Sequence, residues 1–537
     1  MSDLSVTRPG GEEPLAALYH NLEAVRAMAL AVEGTLGGKG LDTMLVDSLG
    51  QVVVTNDGLT ILTSMEPAHP AARMVVSMAR AQEQAVGDGT TTATLLAAAT
   101  LEEAAIHAAR GVPISRLVEG LRLAARAGGG ILGQRARPLT GAGDPRLRSV
   151  ALVAARGDTQ LADLALGAAC LLLGGGASSE EGAGSRLLRI VAREGAESRV
   201  VSGLALRREP LSPQMPSHLK DAVMLLLDDA LEPEFGGAEA LRTEAGVARH
   251  LQEQEGFARL LESLPGLGVN CVVCSRVAGG LAEEVLGQAG LLVLERVPRR
   301  DLLDLADHLG AQPQRRAALR RDPARLRQAL GRCAQVRVEE PLGLTWFEAG
   351  QGRPAVTLLV GAATPEVLEE RRRVAEDATA AVEAALRGGV LPGGGATELA
   401  LSRALAREGS RLQGMATYGV ASLVEALKRP LAQMAANAGF SPLEKLGDAL
   451  AAQAQAEEAG DPEADVLGLD LDSGQVVDLS HLGIWDPAPV KLHALAAAVE
   501  TAIAILRIRL IVQKAGRPAP PAAGEAADSL WQEGDPM

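Results

Sequence analysis

Aromatic side chains make up only 2% of this 537-residue chain, so its cores must be packed mainly by leucine, valine and alanine. Cysteine is scarce too. Cys170, Cys271, Cys274 and Cys333 are too few and too scattered for a disulfide framework. Cys271-Val-Val-Cys274 has the spacing of a metal or redox pair, but no second pair or nearby histidine completes a zinc site. It ends the mostly apolar run 269–274, where a buried strand is the simpler expectation. The eight histidines contain no HExxH-like pairing, which argues against a histidine metal centre. Positive charge is in deficit: the formal net charge of −15 disfavours a nucleic-acid surface. The longest apolar stretch, 164–177, falls short of a membrane span and is rich in glycine and alanine. The first thirteen residues are polar and acidic, so neither a secretory leader nor a membrane role is expected. A reducing cytosol is the expected compartment.

What is present is an ordinary globular balance, 47% hydrophobic and 22% charged, in a chain too long for one core. Residues 14–34 and 70–136 carry apolar side chains at helical spacing. Between them, 44–54 reads as a strand pair turning at Ser48-Leu49-Gly50, followed by a second tight turn at Asn56-Asp57-Gly58. Residues 138–198 are mixed, with a glycine-rich insert at 174–184. From about 220, strand-like runs at 222–227, 269–274 and 291–294 alternate with helical ones near 239–264, 279–288 and 299–309, the pattern of an α/β unit. A basic helix is expected over 315–332, then strands at 336–339, 344–348 and 356–360. Long helices return after 364, broken by Gly393-Gly394-Gly395 and an acidic hairpin at 467–479. The last helix is expected over 490–512, before a disordered tail at 516–537. Helical ends around an α/β centre imply that the centre is inserted into a domain built from both termini.

Gly87-Asp88-Gly89-Thr90-Thr91-Thr92 leads straight into an alanine-rich helical run. Its glycines let backbone approach an anion, and the free N–H groups of the following helix would face it. Asp88 offers a hard oxygen suited to Mg²⁺. Alone, Gly-Asp-Gly is equally an ordinary turn.

Other segments complete the pattern. Thr35-Leu-Gly-Gly-Lys-Gly-Leu-Asp-Thr-Met-Leu-Val-Asp-Ser-Leu-Gly50, Val54-Thr-Asn-Asp-Gly-Leu-Thr-Ile-Leu62 and His69-Pro-Ala-Ala72 resemble, with the loop at 87–92, the chaperonin nucleotide pocket. The C-terminal half adds Asp377, Gly393-Gly394-Gly395, Gly483-Ile-Trp-Asp-Pro487 and Leu506-Arg-Ile508. The likeness covers most of the chain and is strongest over 14–125 and 374–512. The wording is that of the group II type, the thermosome and its eukaryotic relatives, and a bacterial-looking composition suggests the bacterial branch of that type, called group III.

The resemblance implies a multidomain α and α/β chaperonin fold. A helical equatorial ATPase domain would come from 1–137 and 389–515, and an intermediate hinge domain from 138–198 and 356–388. Residues 199–355 would form an α/β apical domain with a helical protrusion near 235–265, the built-in lid. ATP and Mg²⁺ are the implied ligands. Leu36, Gly37, Gly38, Lys39, Asp57, Gly58, Gly87, Asp88, Gly89, Thr90, Thr91, Thr92, Gly394 and Asp486 would contact the nucleotide. Asp88 would hold the metal, and Asp57 and Asp377 would orient the attacking water. Each has a plainer reading: Asp57 as a turn residue, Asp377 as a solvated helix carboxylate, Asp486 as a helix starter. Their order and separation favour the pocket. In the protrusion, Leu241, Val247, Leu251, Phe257 and Leu261 lie near one side and serve either a lid or the unit's own core.

Three departures stand out. Gly38 replaces the usual proline, the nucleotide-sensing lysine is missing near Arg156-Gly-Asp-Thr159, and Leu506-Arg-Ile-Arg-Leu510 lacks the usual acidic pair. The expected activity is ATP-driven enclosure of non-native polypeptides in two stacked rings of eight identical subunits, without a separate lid co-chaperone. The rival is a non-cycling scaffold or holdase, which would have no need of the carboxylates at 57, 88 and 377.

Overall fold

The computed structural model describes residues 15–46, 50, 52–173, 187–233, 243–320 and 323–509. The chain opens with α1 (Ala16–Glu33), the hairpin β1 (Thr43–Val46) and β2 (Val52–Thr55), then α2 (Gly58–Ser64), α3 (Pro70–Val86), α4 (Thr90–Ala109) and α5 (Ile114–Arg135). Next come α6 (Pro145–Ala154), α7 (Thr159–Leu173), β3 (Leu187–Glu194), β4 (Arg199–Ser202), β5 (Leu204–Leu206) and β6 (His218–Leu227). The centre continues through α8 (Glu244–Glu262), β7 (Cys271–Cys274), α9 (Gly280–Gln288), β8 (Leu292–Leu294), α10 (Arg299–Leu309), α11 (Pro323–Ala329), β9 (Gly331–Glu339), β10 (Leu344–Gly350) and β11 (Ala355–Ala362). The return path comprises α12 (Pro365–Gly388), β12 (Val390–Pro392), α13 (Ala396–Gly409), α14 (Thr417–Ala426), α15 (Arg429–Asn437) and α16 (Pro442–Glu458). It closes with β13 (Leu467–Leu469), β14 (Val476–Asp478), β15 (Trp485–Pro487) and α17 (Ala488–Leu506).

Three large apolar cores organise these elements. The first joins both ends of the chain: α1 to α5 pack with α13, α14 and α17 through residues such as Val25, Leu101, Leu121, Leu423 and Val499. Among the described helices, only α17 is long and apolar enough to cross a membrane. Its Ala494, Leu495, Ala498, Val499 and Ala502 are instead buried in this core. The second core lies around a six-stranded sheet of order β5-β10-β9-β6-β7-β8, with β6, β7 and β8 parallel. The third packs α6, α7 and α12 on β11, which pairs parallel with β3 and antiparallel with β4. The two chain passages between the first and third cores are stitched together. Arg137 and Val390 exchange both backbone hydrogen bonds at 2.9 Å, and Gly389 (φ +77°) brings the strands close enough to do so.

Local chemistry explains where elements start and stop. α3 begins with Pro70 at its first position and the His69 ring accepting from the Ala71 N–H, and it ends at left-handed Gly87. Asn56-Asp57-Gly58 is not a free tight turn. Asp57 is the N-cap of α2, accepting from the N–H groups of Leu59 (3.1 Å) and Thr60 (2.9 Å). The expected basic helix at 315–332 is also different: a short 3₁₀ turn at Arg316–Arg320 precedes α11, and β9 starts at Gly331. Pro323 can open a helix but cannot continue one. α17 starts two residues earlier than its periodicity suggests and is capped at Arg507. Residues 48 and 49, the insert at 174–184, Leu241 and the tail at 516–537 lie outside the described residues.

Candidate active site

Four carboxylates from three helices and one loop converge where the first core meets the third. α3 brings Glu83 in its last turn, and its C-cap Gly87 (φ +66°) turns the chain into Asp88. Gly89 (φ +80°) then caps α4 and donates its N–H to Asp88 Oδ1 at 2.6 Å. Both glycines hold left-handed backbone that other residues adopt only under strain. Asp57 caps α2, whose start abuts α4: a Cβ on Gly58 would lie 2.5 Å from Thr91 Oγ1. Thr90 is buried and Thr91 and Thr92 partly so, at the positive end of α4.

The fourth carboxylate arrives from the other core. Asp377 lies on α12, one turn before Ala380, whose methyl sits 2.2 Å from where a Cβ on Gly87 would be. Only a glycine lets α12 approach this closely. Arg156, in left-handed backbone (φ +54°) between α6 and α7, reaches within 4.0 Å of Asp377 and pairs with Glu370 at 2.6 Å.

Electrostatics confirm the convergence. Burial, then the charges of Asp88, Glu83 and Asp57, hold the Asp377 carboxyl well above the usual carboxylate range, against the pull of Arg156. Glu83 is pushed up to about 7 by burial, Asp57 and Asp88. Asp88 is pushed up to about 6 by burial and Asp486, against the Gly89 N–H, Lys491 and Arg156. Arg156 and Lys491 offset this buried negative charge only in part.

A second wall comes from the C-terminal half. β12 and β15 pair with Leu391 opposite Asp486, which sets Asp486 beside Gly393-Gly394-Gly395. Gly394 (φ +59°) and Gly395 (φ +76°) turn the chain into α13, and a Cβ on Gly393 would lie 3.1 Å from Asp486 Oδ1. The loop Leu36-Gly37-Gly38-Lys39 forms a third wall. Asn437 on α15 donates to the carbonyls of Glu33 and Leu36, both at 2.9 Å. Met434 lies between the glycine loops, within 2.7 Å of a Cβ on Gly37 and 3.0 Å of one on Gly395. Gly38 faces open space, so the absent proline leaves no hole. Lys39 is exposed and paired with Asp472 in the β13–β14 turn, at the rim of the site.

Gln82, Glu83, Glu398, Met434 and Lys491 were not legible as site residues from sequence, whereas Arg156 stands in the stretch where the nucleotide-sensing lysine is missing. Gln82 is fully buried and donates to the carbonyls of Asp88 (2.8 Å) and Val490 (3.2 Å). A glutamine one turn before a glycine cap carries no local signal. Lys491 does carry one, since it and Glu500 are the only formally charged residues of an otherwise apolar helix.

The arrangement suits a magnesium nucleotide. Glycine positions that a Cβ would fill supply the cradle, and a buried carboxylate with a raised pKa supplies the anion that a cation would neutralise. Among the described residues, no three His, Cys, Asp or Glu side chains form a self-sufficient metal cage. That donor deficit is the kind that nucleotide phosphates make up.

Comparison with known proteins gives the same answer. Residues 28–515 match the TCP-1/cpn60 chaperonin family. Thermosome subunit beta of Archaeoglobus fulgidus is 33% identical over 518 residues, 92% of each chain. Thermosome subunit alpha of Thermoplasma acidophilum is 31% identical over 542 residues, 98% of this chain and 96% of its own. A crystal structure of a group III chaperonin in the open state superposes with a TM-score of 0.82 at 39% identity, covering 93% of this chain and all of that one. The chain belongs to the TCP-1/cpn60 chaperonin family and is a thermosome-like, ATP-hydrolysing chaperone subunit.

Proposed function

We propose that ATP hydrolysis here is gated by the approach of α12 to the Asp88 loop. The carrying observation is that Asp377 shares a carboxylate cluster with Asp57, Glu83 and Asp88 although α12 belongs mainly to a different core. Asp88 would hold Mg²⁺, which would neutralise charge on the phosphates. The N–H groups and hydroxyls of Thr90, Thr91 and Thr92 would donate to phosphate oxygens, and Gly37 and Gly38 would let backbone do the same. Leu36, Lys39, Gly58, Gly87, Gly89, Gly394 and Asp486 complete the contacts, with Asp486 accepting from the ribose. Asp57 and Asp377 orient the water, and only a seated α12 completes the pair. Nucleotide state thereby becomes motion of the central α/β unit.

The three cores support domain limits near 1–137 with 389–515, 138–198 with 356–388, and 199–355. The exposed apolar ribbon β1–β2 supports assembly into rings. Leu41, Met44, Val46, Val52, Val53 and Val54 are all solvent-exposed, and a lone two-stranded ribbon is marginal without a partner. We place the subunit in the group III branch, in two stacked rings of eight, closing over non-native polypeptide in the cytoplasm. There the free thiols remain reduced. The lid reading draws on α8, whose amphipathic stripe divides. Phe257 and Leu261 are buried against the α/β unit, while Val247 and Leu251 are 42% and 53% exposed.

The test pairs ATP turnover with refolding of a denatured protein, for wild type and Asp377→Ala. The variant should bind Mg-ATP yet hydrolyse it about a hundredfold or more slowly, and refolding should stop. Unchanged turnover in the variant would remove Asp377 from the mechanism. A wild type that hydrolyses no ATP would favour the holdase. Electron microscopy counts subunits and rings.

A further inference from the structure

α17 carries a lysine where elementary electrostatics disfavours one. Lys491 lies in the first turn, at the positive end of the helix dipole, and is only 8% exposed. Its ammonium donates to Glu398 Oε1 at 2.7 Å and lies 2.8 Å from Asp486 Oδ2. Glu398, in the first turn of α13, is 6% exposed, and its Oε2 has no hydrogen-bond partner. Two carboxylates around one buried ammonium offset the desolvation that a single pair would leave uncompensated.

The geometry gives this cluster a direction. Lys491 holds one oxygen of Asp486, while the other, Oδ1, faces the glycine loop at Gly393. The same turn of α17 is tied to the metal side of the pocket. Gln82 donates to the carbonyls of Val490 and Asp88, and its own Oε1 meets His493 Nδ1 at 2.6 Å. The charges of Asp486 and Lys491 act in opposite directions on the Asp88 carboxyl. The first turn of α17 therefore links Asp486 with the Asp88 loop.

We infer that Lys491 is a positioning residue for ATP: it aims the Asp486 carboxylate at the ribose. The inference rests on the ribose role proposed above for Asp486. It separates Lys491 from a purely structural ion pair, because aim is read in nucleotide selectivity, not in stability.

The experiment uses the full-length chain and compares ATP with 2′,3′-dideoxy-ATP in wild type, Asp486→Asn and the double variant Lys491→Met/Glu398→Gln. The double variant removes both members of the buried pair and leaves Asp486, whose side chain is 30% exposed, as the remaining carboxylate. Wild type should prefer ATP about tenfold, the size of one charge-assisted hydrogen bond. The double variant should lose most of that preference and raise KM for ATP by a similar factor, with kcat changed about threefold or less. Lys491→Arg, which keeps the cation, should restore part of the preference. If melting curves show that the double variant does not fold, Lys491→Gln/Glu398→Gln replaces it and is read the same way. A wild type that treats the two nucleotides alike overturns the ribose role and the inference with it. A preference lost in Asp486→Asn but kept in the double variant overturns the role of Lys491 alone.

Discussion

The central sheet and the α3–α12 junction both bury ionisable groups, and the physical act is the same in each. In the sheet, Cys271, Cys274 and Cys333 lie inside, and burial pushes the last two thiols up to about 12 and Cys271 further in the same direction. A thiol is neutral at ordinary pH, so raising its pKa changes nothing and the group remains inert. At the junction, the same desolvation lifts Asp88 to about 6 and Glu83 to about 7, into the range where cells and assays operate. A carboxylate there must take a proton, an arginine, a lysine or a metal ion. The comparison teaches that burial alone does not mark a site. What marks it is burial of groups that are charged at working pH, without enough partners.

The largest expected break in that contrast is Asp88→Asn. Loss of the only carboxylate proposed to bind metal should lower Mg-ATP turnover by on the order of a hundredfold or more. The ligand-free protein should respond in the opposite sense. The pKa of Asp88 is raised on folding, so its contribution to stability is complete below the unfolded value near 4 and is lost as pH rises through about 6. Removing the ionisable group should therefore raise the melting temperature of the ligand-free chain at pH 8, by no more than roughly 3 kcal/mol of stability. Melting curves with and without Mg-ATP check both signs. Normal turnover, or a lower ligand-free melting point, would sink the metal role.

Gly87→Ala tests the meeting of the two cores. A Cβ there would overlap the Ala380 methyl and force left-handed backbone on a residue that resists it. The combined strain is about 2–4 kcal/mol, with overpacking and backbone each contributing. Pushing α12 away from the loop should cut turnover about tenfold or more while nucleotide binding falls less. Gly87→Ala/Ala380→Gly should recover much of the loss, because the second change returns the space. No recovery would mean that the backbone conformation, not the approach of α12, is what matters.

Much of this was legible in the sequence, for reasons that differ by element. Helical spacing and strand runs located α1, α3 to α5, β6 to β8 and α9 to α10 because their apolar periods are uninterrupted. Asp88 was singled out because its glycine neighbours announce special backbone, and Asp57 because its segment resembles the chaperonin pocket. The reading of Asp57 as a turn residue missed its N-cap role, since both use the same Asn-Asp-Gly wording. The basic run at 315–332 misled because charge pattern says nothing about the break that Pro323 imposes. Glu83 and Gln82 were invisible: their significance comes only from what α12 and α17 place against them. Sequence shows which groups are unusual locally, and tertiary contact decides which common groups become unusual.

A subtler measurement follows the protons. Mg²⁺ needs Asp88 ionised, so binding Mg-ATP near pH 6 should release about half a proton from this group, and almost none at pH 8. Calorimetry in buffers of different ionisation enthalpy counts those protons. Below pH 6, the apparent Mg²⁺ affinity should fall with pH, approaching tenfold per unit for a single titrating carboxyl. Equal proton release at pH 6 and pH 8 would show that Asp88 is already ionised in the ligand-free state, and the contrast with the thiols would weaken.

The smallest effects belong to the sheet, and they complete the contrast from its silent side. Native-state labelling should modify exposed Cys170 quickly and leave Cys271, Cys274 and Cys333 untouched until the chain unfolds. Cys271 stands between Met224 and Leu292 on neighbouring strands, so Cys271→Ala should cost about 1 kcal/mol as a small cavity. Cys271→Ser should cost more, about 1–3 kcal/mol, because a hydroxyl placed there would need a hydrogen-bond partner. Neither change should move KM for ATP or its pH dependence. If Cys271→Ala altered the pH profile, the thiols would be coupled to the carboxylates, and burial in the two regions could no longer be treated as separate cases. If only the melting point shifts, then desolvation acts on both regions alike and differs in outcome solely because a buried thiol has no charge to neutralise.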